Sequence, residues 1–300
     1  MRAAQFSRFG GPEVLEIVDL PDPHPGPGEI RIKVRAAGVN ASDWKKRQGL
    51  MDQELPQTLG YEAAGIVDEI GDGVPGVTAG DRVFGASPYG AAQAELAVLS
   101  YWARIPHSLD YAGSAAIPAA AETAARALDQ LGVTAGSTLL INGASGTVGS
   151  AAVQLAVQRG ARVIGTGSSG THDALRSLGA EPVTYGDGMP ERVRDITPSG
   201  VDLALDVAGS GILPALVELA GASERVLTVA DFRGAQRTGV RFSRGDTGRA
   251  TYALAQVARL AEAGRFSLQV GRTFPLSEIA LAHRVGEAGG VRGKLVLLVD

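Results

Sequence analysis

The sequence predicts an α/β protein of two parts: a doubly wound parallel sheet with helices on both faces, and a β-rich domain of many short strands. Three observations carry this. The first third breaks into short strand-like runs separated by Gly, Pro and Asp, the texture of a barrel-like domain. From Tyr111 onward, helical and strand patterns alternate, which implies a parallel sheet covered on both sides. Residues 137–169 read as one unbroken strand–loop–helix–strand unit.

The elements follow in order. Residues 21–28 form a proline-rich corner that excludes a helix. Residues 29–36 (EIRIKVRA) alternate strictly, with Ile30, Ile32, Val34 and Ala36 on one face and Arg31, Lys33 and Arg35 on the other. That is a half-buried strand. Further strands are expected at 14–18, 63–70, 82–84 and 95–99, and an alanine-rich helix at 119–131. Beyond residue 169, helices are expected near 173–178, 213–220 and 249–264, and strands at 182–184, 201–207 and 225–230. The tail adds a helix near 277–287 and a strand at 294–299. There is no internal repeat.

Composition narrows the function classes. A chain of 300 residues, 45% hydrophobic, can bury a large core and form two domains. A net charge of −4 without a long basic run argues against a nucleic-acid binder. The compact cluster Lys45-Lys46-Arg47 is expected to be a solvated face. The absence of cysteine rules out disulfides, thiolate chemistry and thiolate metal sites. The N-terminus lacks an apolar signal core, and no uninterrupted apolar stretch is long enough to span a membrane. A cytoplasmic protein with no membrane partner is expected.

The unit at 137–169 points to a dinucleotide. Leu139, Leu140 and Ile141 form the apolar run of a buried strand, which breaks into Gly143-Ala144-Ser145-Gly146-Thr147-Val148-Gly149. The helix that follows carries Val148, Ala151, Ala152, Leu155 and Ala156 at helical spacing and stops at Gly160. A pyrophosphate reaches the first amides of such a helix only if no side chain intervenes. Gly146 permits that approach, and Gly149 lets the helix pack closely on the strand. Ser145, Gly146, Thr147, Val148 and Gly149 are therefore the expected cofactor loop. Ala144 stands where the first glycine of G-x-G-x-x-G is usual, so the fingerprint is imperfect, but its flanking elements support it. About 20 residues further on, where an acid would bond the ribose of NAD, the chain has Gly167-Ser168-Ser169-Gly170 and no acid before Asp173. NADPH is the expected cofactor, with Ser168 and Ser169 either able to donate to its 2′-phosphate or merely forming the turn.

The segments GEIRIKVRAAGVNASD (28–43), LGYEAAGIVDEIGDGV (59–74), GDRVFG (80–85), NGASGTVGSAAVQLA (142–156) and FPLSEIALAHRVGEAGGVRGKLVL (274–297) occur in this order. Together they resemble the medium-chain dehydrogenase/reductase superfamily, in its zinc-free quinone oxidoreductase (zeta-crystallin-like) branch, over essentially the whole chain. The resemblance implies a Rossmann-type domain (116–265) inserted into a GroES-like β-barrel catalytic domain (1–115 and 266–300), with the active site in the cleft. It implies hydride delivery from NADPH to a quinone or to an activated C=C bond of an α,β-unsaturated carbonyl, including enoyl-type substrates. A zinc-free carbonyl or alcohol dehydrogenase and a non-catalytic, crystallin-like NADPH-binding protein are the alternatives. It also implies a homodimer joined through the sheet edge near 225–230 and the segment after it, unless residues 231–247 cover that edge as a loop.

The resemblance also suggests roles for single residues. Zinc enzymes of the superfamily carry a Cys and a His where this chain has Asn40 and Tyr61, and both are poor zinc ligands. No metal is expected. Asn40, in the G-V-N motif, either brings its amide to the nicotinamide and substrate or simply caps the loop. Thr123 matches a threonine facing the nicotinamide amide, or else bonds back to its own helix. His172 and Tyr185 match positions near the 2′-phosphate, and Lys294 in the tail is a further cofactor candidate. Two family tyrosines are replaced, by Lys45 and Met51. The candidates for stabilising or protonating the reduced substrate are thus Asn40, Lys45 and Tyr61, with a solvated Lys45 as the plainer alternative. Glu122, in a helix segment where relatives are apolar, has no role in this reading.

Overall fold

The computed structural model describes residues 1–88, 90–245 and 248–300. The chain begins with β1 (Arg2–Phe6), β2 (Glu16–Asp19), β3 (Ile30–Val39), α1 (Ala41–Arg47), β4 (Gln57–Thr58) and β5 (Glu62–Ile70). It continues with β6 (Arg82–Ala86), β7 (Leu96–Leu99), β8 (Tyr101–Arg104), α2 (Tyr111–Ala115) and α3 (Pro118–Leu131). Next come β9 (Thr138–Asn142), α4 (Thr147–Gln158), β10 (Arg162–Gly167), α5 (His172–Ser177), β11 (Ala180–Thr184) and α6 (Met189–Ile196). Then follow β12 (Leu203–Asp206), α7 (Leu213–Ala220), β13 (Val226–Thr228), α8 (Phe232–Thr238) and β14 (Arg241–Phe242). The chain ends with α9 (Ala253–Glu262), β15 (Val270–Pro275), α10 (Ile279–Ala288) and β16 (Lys294–Leu298). Two compact units result: Met1–Ala119 with Leu254–Asp300, and Ala120–Ala253. Among the described residues, no helix is long and apolar enough to cross a membrane.

The first unit is built on β3. Its alternation buries Ile30, Ile32 and Val34, and one edge pairs antiparallel with β5 over most of its length. The other edge is shared: residues 30–33 pair with β7, and residues 36–39 pair with β16 from the end of the chain. The sheet runs β15-β16-β3-β5-β6-β8, and a smaller sheet runs β2-β1-β4. Phe6, Ile30, Ile32, Leu59, Leu99 and Leu297 meet in one core. The strand expected at 14–18 begins only at Glu16, because Pro12 opens a 3-10 turn over Pro12–Val14.

The run Lys45-Lys46-Arg47, expected as a solvated face, forms the last turn of α1 and is only partly solvated. Its cations lie where the helix dipole favours them. Only Lys45 is exposed, and Arg47 is wholly buried. The Arg47 guanidinium donates to the Gly10 carbonyl and to Glu287, and its Nε lies 3.3 Å from His283 Nδ1. Seven residues with so many charges show no apolar stripe, which is why pattern alone misses the helix.

The second unit is a six-stranded parallel sheet in the order β11-β10-β9-β12-β13-β14. The order reverses at β9, so loops leave the carboxyl ends of β9 and β12 on either side of a topological switch point. The sheet edge falls in the segment after 225–230, at β14, which pairs with β13, and α8 occupies much of the stretch that could have covered the edge as a loop. Asp246 and Thr247, at the end of that segment, lie outside the described residues. Glu122 also finds its reason here. Buried in α3, its carboxylate receives Arg126 Nε at 2.7 Å and the Ala250 amide at 3.2 Å, and Arg126 donates on to Ser243. A buried acid is tolerated because it is paired and hydrogen-bonded.

Gly149 explains the approach of α4. A Cβ there would lie 2.2 Å from the Gly143 carbonyl oxygen and under 3 Å from the Ala144 backbone. The close packing expected against the strand is therefore against the turn that leaves it. Ala144 is accommodated by Gly165 on β10, where a Cβ would come 2.8 Å from the Ala144 methyl.

Two outcomes follow from this packing. Gly149→Ala should destabilise the protein by about 1–3 kcal/mol through overpacking and weaken dinucleotide binding at least roughly tenfold, checked by urea unfolding and fluorescence titration. Burial, with Arg47 adding repulsion, pushes the His283 imidazole down to about 3, from 6.5. Folding therefore keeps His283 neutral, and the unfolded chain gains a proton as pH falls below 6.5. Stability conferred by the neutral ring is intact above that pH and is lost at up to about 1.4 kcal/mol per pH unit below it. Relative to wild type, His283→Gln, which keeps an acceptor for Arg47, should flatten this acid loss in urea melts compared near neutral pH and near about pH 5.

Candidate functional site

The carboxyl ends of β9, β10, β12 and β13 are tied by one buried polar cluster. Asp206 accepts from Asn142 Nδ2 at 2.9 Å, Thr228 Oγ1 at 2.7 Å, and the Ala208 and Gly209 amides at 3.0 Å. Thr166 Oγ1 donates to Asn142 Oδ1 and accepts from the Gly143 amide, each at 2.9 Å. The fully buried Asp206 thus fixes the start of the Gly143–Gly149 turn. Sequence reasoning missed this acid, and its only signal was a polar residue closing the apolar run VDLALD.

The turn then opens on the α4 N-terminus. Gly146 is the N-cap, exposed, with no side chain bonded over the first turn and no acid in that turn. A Cβ on Gly146 would meet only the Gly143 oxygen, at 3.4 Å. The first amides of a helix lack intrahelical acceptors, so Thr147, Val148 and Gly149 present uncovered donors with Ser145 beside them. These residues fit a pyrophosphate. Further along, β10 ends at Gly167, and Ser168 precedes a 3-10 turn over Ser169–Thr171. Ser168 is half-buried, Ser169 is exposed, and Tyr185 is an exposed ring. His172 Nε2 lies 3.3 Å from Thr184 Oγ1. A cation absent from the sequence reading stands beside them: Arg192 donates to the carbonyls of Thr184 and Asp187 at 2.9 Å. Thr123, half-buried on α3, has its hydroxyl 3.5 Å from Arg126 Nη2.

The first unit holds the other expected residues. Glu62, fully buried, accepts from Asn40 Nδ2 at 2.9 Å and from Lys294 Nζ at 2.5 Å through Oε1. Its Oε2 accepts from the Ala119 amide at 2.7 Å. Lys294 also donates to Asn40 Oδ1, so this lysine, expected at the cofactor, has its ammonium on Glu62 and Asn40. The opposite charges on the two sides settle which way the Asn40 amide points. One N–H is bonded to Glu62, and the second remains as a neutral donor. Asn40 is the N-cap of α1, where Asp43 closes a capping box on its backbone N–H, and its side chain also reaches Glu62 and Lys294. Gly38 makes this possible, because a Cβ there would lie 2.4 Å from Glu62 Oε1.

Asp43 completes the arrangement. Its Oδ2 accepts from the Asn40 backbone N–H at 2.7 Å and from Gln93 Nε2 at 3.1 Å. Burial pushes its carboxyl up to about 6, against the opposing pull of the Asn40 hydrogen bond and Lys294. Asp43 Oδ1 and Gln93 Oε1 are buried acceptors without a donor, so a proton on Asp43 relieves a donor-poor pocket. Glu62 and Asp43 were visible in G-Y-E and N-x-x-D, but neither motif by itself shows that they converge on one asparagine.

Gly60, at φ +102°, sets the turn into Tyr61. Tyr61 is half-buried, and Lys46, not Lys45, meets it: Lys46 Nζ sits 4.8 Å from the ring centroid and 2.8 Å from Asp52. Burial raises the Tyr61 pKa, while Lys46 pulls it back. Burial works against the Lys46 charge, but bonding to Asp52 and Tyr61 outweighs it and leaves its pKa raised. Helical spacing explains the exchange, since adjacent residues on α1 point about 100° apart.

A zinc ion does not fit here. Both ends of the Asn40 amide are already bonded to an ion pair, Tyr61 lies under an ammonium, and a dication beside Lys46 and Lys294 would be repelled.

The sequence family described as alcohol dehydrogenase GroES-like domain matches residues 26–116, and that described as zinc-binding dehydrogenase matches residues 178–297. A quinone oxidoreductase from Lama guanicoe is 39% identical over 152 residues, 49% of this chain and 46% of that protein. The chain thus covers less than half the length of that relative. Among solved structures, the quinone oxidoreductase from Coxiella burnetii superposes with a TM-score of 0.86 at 31% identity, covering 100% of this chain and 99% of that one. An NAD-dependent alcohol dehydrogenase gives a TM-score of 0.85 at 31% identity, with both chains covered in full. With these motifs, this sheet order and this likeness, the chain belongs to the medium-chain dehydrogenase/reductase superfamily, in its quinone oxidoreductase branch.

Proposed function

We propose that the protein is a zinc-independent, NADPH-dependent oxidoreductase that reduces a quinone or the activated C=C bond of an α,β-unsaturated carbonyl. The observation that carries this reading is Asn40, held between Glu62 and Lys294 where zinc relatives bind metal. The site offers a fixed neutral donor in place of a Lewis acid. When bound, the dinucleotide supplies a hydride. The protein supplies alignment and stabilisation of the charge that develops on the substrate oxygen.

Thr147, Val148 and Gly149 hold the pyrophosphate through their amides, and the α4 dipole adds to that hold. Ser168, Ser169, His172 and Tyr185 are the proposed surroundings of the 2′-phosphate. No carboxylate precedes Asp173 to repel it, and Arg192 adds positive charge beside the Tyr185 backbone. Thr123 is proposed to meet the nicotinamide amide. Asn40 uses its remaining N–H toward the oxygen that becomes negative as the carbon accepts hydride.

The likeness to an alcohol dehydrogenase described as NAD-dependent keeps one second reading in play, a metal-free carbonyl reductase using NADH. Absorbance assays separate the two. NADPH oxidation by small quinones and enones, at least roughly tenfold more efficient than with NADH and absent with saturated aldehydes, is expected. Equal use of NADH, or turnover of aldehydes alone, would sink the first reading. In the same assay, Asn40→Ala should lower turnover about 10- to 100-fold while NADPH affinity stays within about twofold, as for a group acting mainly in the transition state.

A further inference from the structure

We infer that Tyr61 is the proton donor of this reaction and that Lys46, anchored by Asp52, is the group that recharges it. The inference rests on the reductase reading above and adds the half of the chemistry which that reading leaves open. Hydride transfer moves two electrons and one proton to a substrate carbon, and the dihydronicotinamide is oxidised. The substrate oxygen is left negative, and a second proton must come from elsewhere.

Asn40 cannot supply that proton, because an amide N–H donates a hydrogen bond and does not ionise at ordinary pH. Glu62 and Lys294 are locked on each other and on Asn40. Asp43 is fully buried, and its Oδ2 is bonded to the Asn40 backbone N–H and to Gln93. Lys45 is exposed. Among the described residues, Tyr61 is the remaining acid in the cluster. It is half-buried, with an ammonium 4.8 Å above its ring.

The charges around Tyr61 suit a donor that must be restored after each turnover. Lys46 favours the phenolate, whereas Asp43 and Asp52 oppose it. Lys46 reaches both ways, since its side chain is only 13% exposed while the Asp52 carboxylate that holds it is 62% exposed. In the proposed sequence, the Tyr61 O–H bond breaks and the proton forms a new O–H bond on the substrate. The phenolate then takes a proton from the Lys46 ammonium, and the amine recovers one from water at the Asp52 surface. No electrons move in these steps. Tyr61 is the catalytic residue, and Lys46 and Asp52 act through it.

The test pairs an activity measurement with one that needs no substrate. Tyr61→Phe should lower turnover roughly 100-fold or more with unchanged NADPH affinity by fluorescence titration. Ultraviolet titration of tyrosine ionisation should show one transition missing in Tyr61→Phe. That same transition should move to higher pH in Lys46→Met, because the ammonium that favoured the phenolate is gone. The basic limb of the pH–turnover profile should move with it, and Lys46→Arg should restore both. Full turnover by Tyr61→Phe, or a tyrosine titration unmoved by Lys46→Met, overturns the inference alone. Wild-type protein that oxidises NADPH with neither quinones nor enones overturns the reductase reading and this inference together.

Discussion

The buried carboxylate of Glu62 is the constraint on which the first unit depends. It stands at the start of β5 and receives a side chain from the end of β3, an ammonium from β16 and the amide that opens α3. An unpaired carboxylate at that depth would be costly, and breaking a buried pair costs about 3–5 kcal/mol. Three donors from three distant parts of the chain therefore have to arrive together. The position of Asn40 is thus a by-product of satisfying a charge. This is a stiffer way to aim an amide than loop packing would be, because both of its polar ends are specified.

The second unit solves a related problem with neutral and shared bonds. Asp206 gathers four donors, and Asn142 and Thr166 pass that order on to the Gly143 amide. The turn itself then needs no side chain of its own to hold its shape. This leaves its surface bare at Gly146 and its underside close-packed at Gly149. A turn whose outer face is bare backbone has to be supported from beneath, and the polar strand ends provide that support.

Much of this was legible in the sequence because it follows from periodicity or local turn chemistry. The alternation of β3, the unit from β9 to β10, the glycines of the turn and α7 all announce themselves within a window of a dozen residues. What stayed hidden is long-range. Glu62 and Lys294 are each unremarkable until β16 is laid beside β3, and Arg47 looks solvated until α10 delivers Glu287 and His283. Short elements were also hidden, since α1, α8 and the two-residue β14 carry too few residues for a pattern. At Lys45 and Lys46 the motif named the right neighbourhood, but which of the two lysines meets Tyr61 was not legible in it. Choosing between adjacent positions requires knowing the helix and its phase.

The first unit draws on both ends of the chain, with β16 seated against β3. During synthesis, β3 emerges with only part of one edge covered and waits for more than 250 residues before its partner exists, whereas every strand of the parallel sheet is complete well before the last helix emerges. The inserted unit can therefore fold before the first unit is complete, but the unit that contains Asn40 cannot close until β16 has emerged. Its exposed strand edge is a liability for that whole interval. The small, alanine- and glycine-rich C-terminal half of β3, AAGV, presents little greasy surface to the cell while it waits.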